Sequence, residues 1–236
     1  MNKRAKILLV EDDISFGKIL RDYLTLNNLE VTHMKDGVDG WNTFRNHHFD
    51  LCILDVMMPK RDGFELATQI RQHNSRIPII FLTAKSGKAD VLNGFESGAD
   101  DYLVKPVDAD ILLLKVRAML KRITDSEPDK EPEEEVCING FTFNYSTRCL
   151  YSNTSRYVLS PKEADVLRIL CANPNVLVKR EDILRNLWKE VNYFTGRSLD
   201  VYIAKLRKYL QEDETISLSS LPKSGYILST GQHRSK

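Results

Sequence analysis

The stretch Leu51-Cys52-Ile53-Leu54-Asp55-Val56-Met57-Met58-Pro59 decides the fold. Four apolar residues in succession, with no polar alternate, describe a strand buried on both faces. Asp55 closes that strand, a position where a lone carboxylate would be costly to bury. Outward along the chain the same arrangement repeats. Ile7-Leu8-Leu9-Val10 runs into Glu11-Asp12-Asp13, Ile79-Ile80-Phe81-Leu82 into Thr83, and Tyr102-Leu103-Val104 into Lys105.

Strand-like runs fall at 6–10, 29–34, 50–54, 77–82 and 101–104, separated by helical patterns. Phe16, Ile19, Leu20, Tyr23 and Leu24 step at helical spacing, as do Phe64, Leu66, Ala67 and Ile70; a last helix spans about Asp108 to Arg122. Strand–helix alternation implies a parallel sheet covered on both faces. Five strands in about 120 residues match the flavodoxin-like order, so residues 1–122 are expected to form an α/β flavodoxin-like (βα)5 domain. Ligands of such sheets bind at the carboxyl ends of the strands. One edge would then hold an acid pocket, a nucleophile, a hydroxyl and a cation.

Residues 124–135 contain seven acids and two prolines with no other apolar residue. Such a segment cannot bury enough surface to offset its ordering entropy, and 123–135 reads as a flexible acidic linker. It divides the charge. Residues 1–135 carry 19 Lys and Arg against 24 Asp and Glu, a net of −5, and residues 136–236 carry 15 against 9, a net of +6. A basic second half points to nucleic acid. Cys52, Cys137, Cys149 and Cys171 show neither a C-x-x-C pair nor zinc-site spacing, in keeping with a reducing cytoplasm. The apolar run after the basic start is too short for a signal peptide, and no stretch approaches membrane length.

After the linker, short β-type pieces surround Asn139-Gly140, a strong turn signal. Ser160-Pro161-Lys162-Glu163 reads as a helix start with a capping box. Helices carrying Leu167 and Leu170, then Leu184 and Trp188, then about Arg197 to Gln211 follow, and a hairpin ends the chain. Residues 136–236 are thus expected to form an α+β domain. In the third helix Leu199, Ile203, Leu206 and Leu210 face the core, while Arg197, Ser198, Tyr202, Lys205 and Lys208 spread over the outer side. Cations and hydroxyls on one helix face suit the DNA major groove. A solvated amphipathic helix has the same pattern.

The acid pocket suits phosphoryl transfer onto Asp55. A magnesium ion would neutralise charge there, with Asp12 and Asp55 as direct ligands, Glu11 through water and the Met57 carbonyl completing the protein share. Lys105 would hold a phosphate oxygen and Thr83 would donate a hydrogen bond. Singly these residues have blander uses, Asp13 as a helix cap and Lys105 as a surface lysine.

Leu9-Val10-Glu11-Asp12-Asp13, Leu54 through Pro59, Asp62-Gly63-Phe64-Glu65-Leu66, Leu82-Thr83-Ala84 and Gly98 through Pro106 together resemble the receiver domain of two-component response regulators. The second half resembles the winged helix-turn-helix domain of the OmpR/PhoB family, through Arg197 to Ile203, Leu206-Arg207-Lys208 and Gly225-Tyr226. The resemblance implies that Asp55 accepts phosphate from a sensor histidine kinase. Thr83 and Tyr102 then rearrange, and the face of the fourth helix, fifth strand and fifth helix forms a homodimer. It implies Arg197, Ser198, Tyr202, Lys205, Arg207 and Lys223 as contacts to double-stranded promoter DNA, Trp188 near the DNA backbone, and Lys189 to Thr195 near RNA polymerase. On the dimer face Asp100, Asp101, Lys115 and Arg117 match, whereas Val91 and Ile111 replace a common charged pair. Ala204 and Pro222-Lys223-Ser224 also depart from the family pattern. A constitutive dimer indifferent to phosphate stays open on Val91 and Ile111. A phosphatase of the haloacid dehalogenase type is disfavoured, because Met57 stands where its general acid would be.

Overall fold

The computed structural model describes residues 4–84, 97–124, 135–188, 191, 193–222 and 224–231. The chain divides into two compact units between Glu127 and Pro128. Most of the expected linker lies outside the described residues. At its two ends the structure corrects the boundary, because helix continues through Thr124 and Glu135 already opens a strand.

In the first unit the order is β1 (Lys6–Val10), α1 (Ile14–Leu26), β2 (Glu30–Met34), α2 (Gly37–Asn46), β3 (Leu51–Asp55), α3 (Gly63–His73), β4 (Ile79–Thr83), β5 (Asp101–Val104) and α4 (Ala109–Thr124). Residues 85–96 lie outside those described, so α4 is the fifth helix of the resemblance. The five strands are all parallel in the order β2-β1-β3-β4-β5. This is the flavodoxin-like order, with its switch point between β1 and β3. All residues of β3 and β4 are buried, because helices cover both faces. On one face Ile7, Leu9, Ile53 and Leu82 pack against Leu20 and Leu24 of α1 and Leu112 and Val116 of α4. Each such side chain contributes about 2 kcal/mol by leaving water.

The helices start where the sequence supplies caps. Asp13, Asp36 and Asp62 stand at the N-caps of α1, α2 and α3, and each carboxylate accepts from backbone N–H groups of the first turn. A Cβ on Gly63 would stand 2.1 Å from the Asp55 carbonyl oxygen, so α3 can approach the end of β3 only through a glycine. Beyond the strands, Arg71 of α3 ties down the approach to β5. Its Nε donates to the Gly98 carbonyl at 2.8 Å and another guanidinium nitrogen meets Asp100 Oδ2 at 2.7 Å. The same Asp100 oxygen accepts the Ile79 N–H at 2.9 Å.

The second unit opens with an antiparallel meander of β6 (Glu135–Ile138), β7 (Phe141–Asn144), β8 (Cys149–Tyr151) and β9 (Arg156–Val158). Then come α5 (Pro161–Cys171), β10 (Val178–Lys179), α6 (Arg180–Trp188), α7 (Tyr193–Leu210), β11 (Ile216–Leu221) and β12 (Gly225–Thr230). The capping box at α5 is complete: Glu163 N–H donates to Ser160 Oγ at 3.4 Å and Ser160 N–H to Glu163 Oε2 at 3.0 Å. Two readings need correction. α7 starts at Tyr193, four residues before Arg197, and so takes Tyr193 and Phe194 out of the expected loop. The two-residue strand β10, which pairs with β12, has no counterpart in the sequence reading.

Candidate functional site

The register of the parallel sheet assembles the first site. Val10 pairs with Leu54, Asp55 with Leu82, and Thr83 with Val104, so Glu11, Asp55, Thr83 and Lys105 emerge at one edge. Glu11, Asp55 and Thr83 are buried and Asp12 is exposed. One carboxylate oxygen each from Glu11, Asp12 and Asp55 lies within 4.8 Å of the others. Lys105 Nζ donates to Glu11 Oε1 and to Asp55 Oδ2, both at 2.7 Å, and stands 4.9 Å from the centre of the Phe16 ring. Met57 N–H donates to Asp55 Oδ1 at 3.0 Å, which sets Met57 beside the carboxylate. Lys105 N–H also donates to the Thr83 carbonyl at 2.8 Å.

The electrostatics follow from burial. Desolvation pushes the Glu11 carboxyl up to about 7, against the pull of the Lys105 hydrogen bond and with the charge of Asp55 adding to the rise. Burial works against the Lys105 ammonium as well, yet its bonds to Asp55 and Glu11 carry it above the ordinary lysine value. Glu11 Oε2 is buried and has no hydrogen-bond partner. Three carboxylates facing one ammonium, with an orphaned oxygen among them, fit a hard divalent cation with oxygen ligands.

The second site is α7, where the structure moves two expected contacts indoors. Ser198 is 0% exposed and Tyr202 1%. The Tyr202 ring stacks on Trp188 with centroids 6.2 Å apart and planes at 14°, and Trp188 is itself buried. None of the three is placed to reach DNA in this structure. α7 packs against α5, α6 and β11. Its buried arc therefore takes in the Ser198–Tyr202 stripe as well as the stripe of Leu199, Ile203, Leu206 and Leu210. Arg197, Ala204 and Lys208 remain exposed. Arg197 lies 3.6 Å from Asp200 and Lys205 3.6 Å from Glu163. Arg207 turns toward β11, its Nε donating to the Leu218 carbonyl at 2.6 Å. Lys223 lies outside the described residues, as do Lys189, Glu190 and Asn192 of the expected polymerase loop.

Residues 7–117 match the family described as "Response regulator receiver domain", and residues 154–228 match "Transcriptional regulatory protein, C terminal". The chain is 41% identical over 236 residues to the transcriptional regulatory protein RprY of Bacteroides fragilis, covering 100% of this chain and 99% of RprY. It is 35% identical over 226 residues to the response regulator ArlR of Staphylococcus aureus, covering 95% of this chain and 99% of ArlR. The chain belongs to the OmpR/PhoB-type response regulators. The crystal structure of DrrB, an OmpR/PhoB homologue of Thermotoga maritima, covers 96% of the chain and 100% of DrrB at 27% identity with a TM-score of 0.51. This response regulator therefore has a receiver domain and an OmpR/PhoB-type DNA-binding domain, and its family implies a histidine kinase and DNA as partners. Among the described residues no helix is long and apolar enough to cross a membrane.

The dimer face of the receiver needs one correction. Asp100 is 1% exposed and bound to Arg71 and Ile79, so it serves the interior rather than a partner. Asp101 is buried too and meets Lys115 Nζ at 2.8 Å within the chain. Arg117 donates to Asn27 Oδ1 at 3.2 Å, and Ile111 is exposed beside Leu114 on α4. Val91 lies outside the described residues. Tyr102 is buried with its ring edge-on to Phe81. Two contacts of the pocket escaped the sequence reading, the Phe16 ring against Lys105 and the His33 imidazole, whose Nε2 lies 2.9 Å from the Glu11 carbonyl. Phe16 had a detectable signal, an aromatic one turn into the helix that follows the acids. His33 had none, because a histidine in a strand is ordinarily packing.

Proposed function

We propose that Asp55 is the phosphoryl acceptor of this response regulator and that its modification governs dimerisation and promoter binding. The observation that carries the reading is the Lys105 ammonium shared between Glu11 and Asp55 at 2.7 Å each, beside a buried carboxylate oxygen without a partner. Glu11, Asp12, Asp55 and the Met57 carbonyl would hold Mg2+. When bound, that ion supplies positive charge to the transferring phosphoryl oxygens. In the transfer the N–P bond of the kinase phosphohistidine breaks as an O–P bond forms to Asp55, and the imidazole leaves. Lys105 exchanges a carboxylate oxygen for a phosphoryl oxygen, and the Thr83 hydroxyl donates to another. Tyr102, one strand over on β5, shifts with Thr83.

The response is read on the face of the family's fourth helix, β5 and α4, where Val91, Ile111, Lys115 and Arg117 contribute to a homodimer and Asp101 holds Lys115 in place at 2.8 Å. An apolar Val91–Ile111 contact can replace an ionic pair at similar stability. In the second domain Arg197, Lys205, Arg207 and Lys223 contact promoter DNA, joined by the exposed Lys208. The segment from Lys189 to the start of α7 faces RNA polymerase. Both partners place this work in the cytoplasm.

Incubation with Mg2+ and phosphoramidate, followed by intact mass spectrometry, tests the acceptor. Wild type is expected to gain one phosphoryl group and Asp55→Asn none. Equal labelling of Asp55→Asn would move the acceptor elsewhere.

A further inference from the structure

The peptide of Glu11 is held at both ends by β2. Its N–H donates to the Met34 carbonyl at 2.9 Å, and its carbonyl accepts from His33 Nε2 at 2.9 Å. A carbonyl oxygen only accepts, so Nε2 is the protonated nitrogen of this imidazole. The ring reaches the carbonyl through a notch in α1. A Cβ on Gly17 would stand 2.3 Å from both Cε1 and Nε2 of His33, so no residue but glycine leaves the ring where it is.

The place of this contact matters. Asp55 is inside the β3 ladder, whereas β1 ends its pairing at Val10. Glu11 and Asp12 therefore lie beyond the ladder, in a short connection whose far end is the Asp13 cap of α1. The position of the two acids relative to Asp55 depends on contacts past the last paired residues of β1, and β2 supplies them.

We propose that His33 is a positioning residue for the acid pocket: through the Glu11 carbonyl it holds Glu11 and Asp12 at the spacing a divalent cation requires, and Gly17 is the notch that admits it. The inference rests on the reading of Glu11, Asp12 and Asp55 as metal ligands. Residues that orient metal ligands from behind are commonly worth about 10- to 100-fold in metal affinity.

The experiment is a Mn2+ titration of the full chain in metal-stripped buffer, with free ion followed by electron paramagnetic resonance and thermal unfolding measured alongside. His33→Ala is expected to weaken Mn2+ binding roughly tenfold, and His33→Gln, whose amide can donate the same bond, to recover most of it. Gly17→Ala displaces the ring without altering it. Alanine gains helix propensity over glycine but crowds the ring, so this variant is expected to lose metal affinity in a chain that thermal unfolding shows to be still folded at the temperature of the titration. Wild-type affinity in both His33→Ala and Gly17→Ala would overturn the role of His33. So would a His33→Gln variant as weak as His33→Ala. Asp12→Asn separates the two layers. If it leaves Mn2+ binding intact, the pocket is not the metal site; if it abolishes binding while His33→Ala does not matter, only the role of His33 falls.

Discussion

The carboxyl edge of the receiver sheet and the helix α7 of the second domain both present charged and hydroxyl side chains from an apolar element, yet they obey different rules. At the sheet edge a residue's place is fixed by where its strand stops. Glu11, Asp55, Thr83 and Lys105 each stand at or just past the end of a buried run, and the parallel register brings them together. On α7 a residue's place depends on how wide an arc the neighbouring elements cover. Ser198 and Tyr202 have the polarity of surface residues and the burial of core ones. Strand ends therefore declare their function in sequence, whereas an embedded helix declares only its deepest stripe.

Tyr202→Ala has the largest expected effect on this contrast. Removing a buried ring stacked on Trp188 is expected to cost about 3–5 kcal/mol of stability, measured by urea unfolding of the full chain at the second domain's transition. A variant of wild-type stability that has lost DNA affinity would return Tyr202 to the groove. Next comes Lys105→Ala. It leaves Glu11 and Asp55 buried without their shared cation, and breaking such a pair is expected to cost about 3 kcal/mol in the absence of metal. Saturating Mg2+ is expected to recover part of that loss, because a cation again faces the acids. A gap that Mg2+ leaves unchanged would show that the ammonium and the metal do not share the pocket. The smallest effect belongs to Lys208→Ala. Stability is expected to stay within about 0.5 kcal/mol, while the dependence of log affinity for promoter DNA on log salt falls by about 1. An unaltered salt slope would take Lys208 off the phosphate backbone.

Within its described residues the receiver was legible in β1, β3 and β4, which are continuous apolar runs, and in α1, α3 and α4, whereas α2 behind its Asp36 cap was not read. What failed there was Asp100. Its partner Arg71 is far off in sequence on α3, and nothing local distinguishes an acid bound inward from one facing a second subunit. The second domain was legible in its capping box and in the inward leucines of α7. The start of α7 was hidden because Tyr193 and Phe194 read equally well as loop or helix. β10 was hidden because two residues carry no periodicity, and its strand character comes from pairing with Gly225 and Tyr226 of β12. The contact between His33 and Glu11 depends on Gly17, a glycine inside a helix whose use appears only when β2 is laid against α1.

The decisive measurement is the oligomeric state and promoter affinity of wild type and Asp55→Ala in Mg2+, each with and without beryllofluoride, by light scattering and fluorescence anisotropy. Wild type alone is expected to pass from monomer to dimer and to bind DNA more tightly when beryllofluoride is added. If both proteins are dimeric from the outset and bind DNA equally with and without it, Asp55 does not control this regulator.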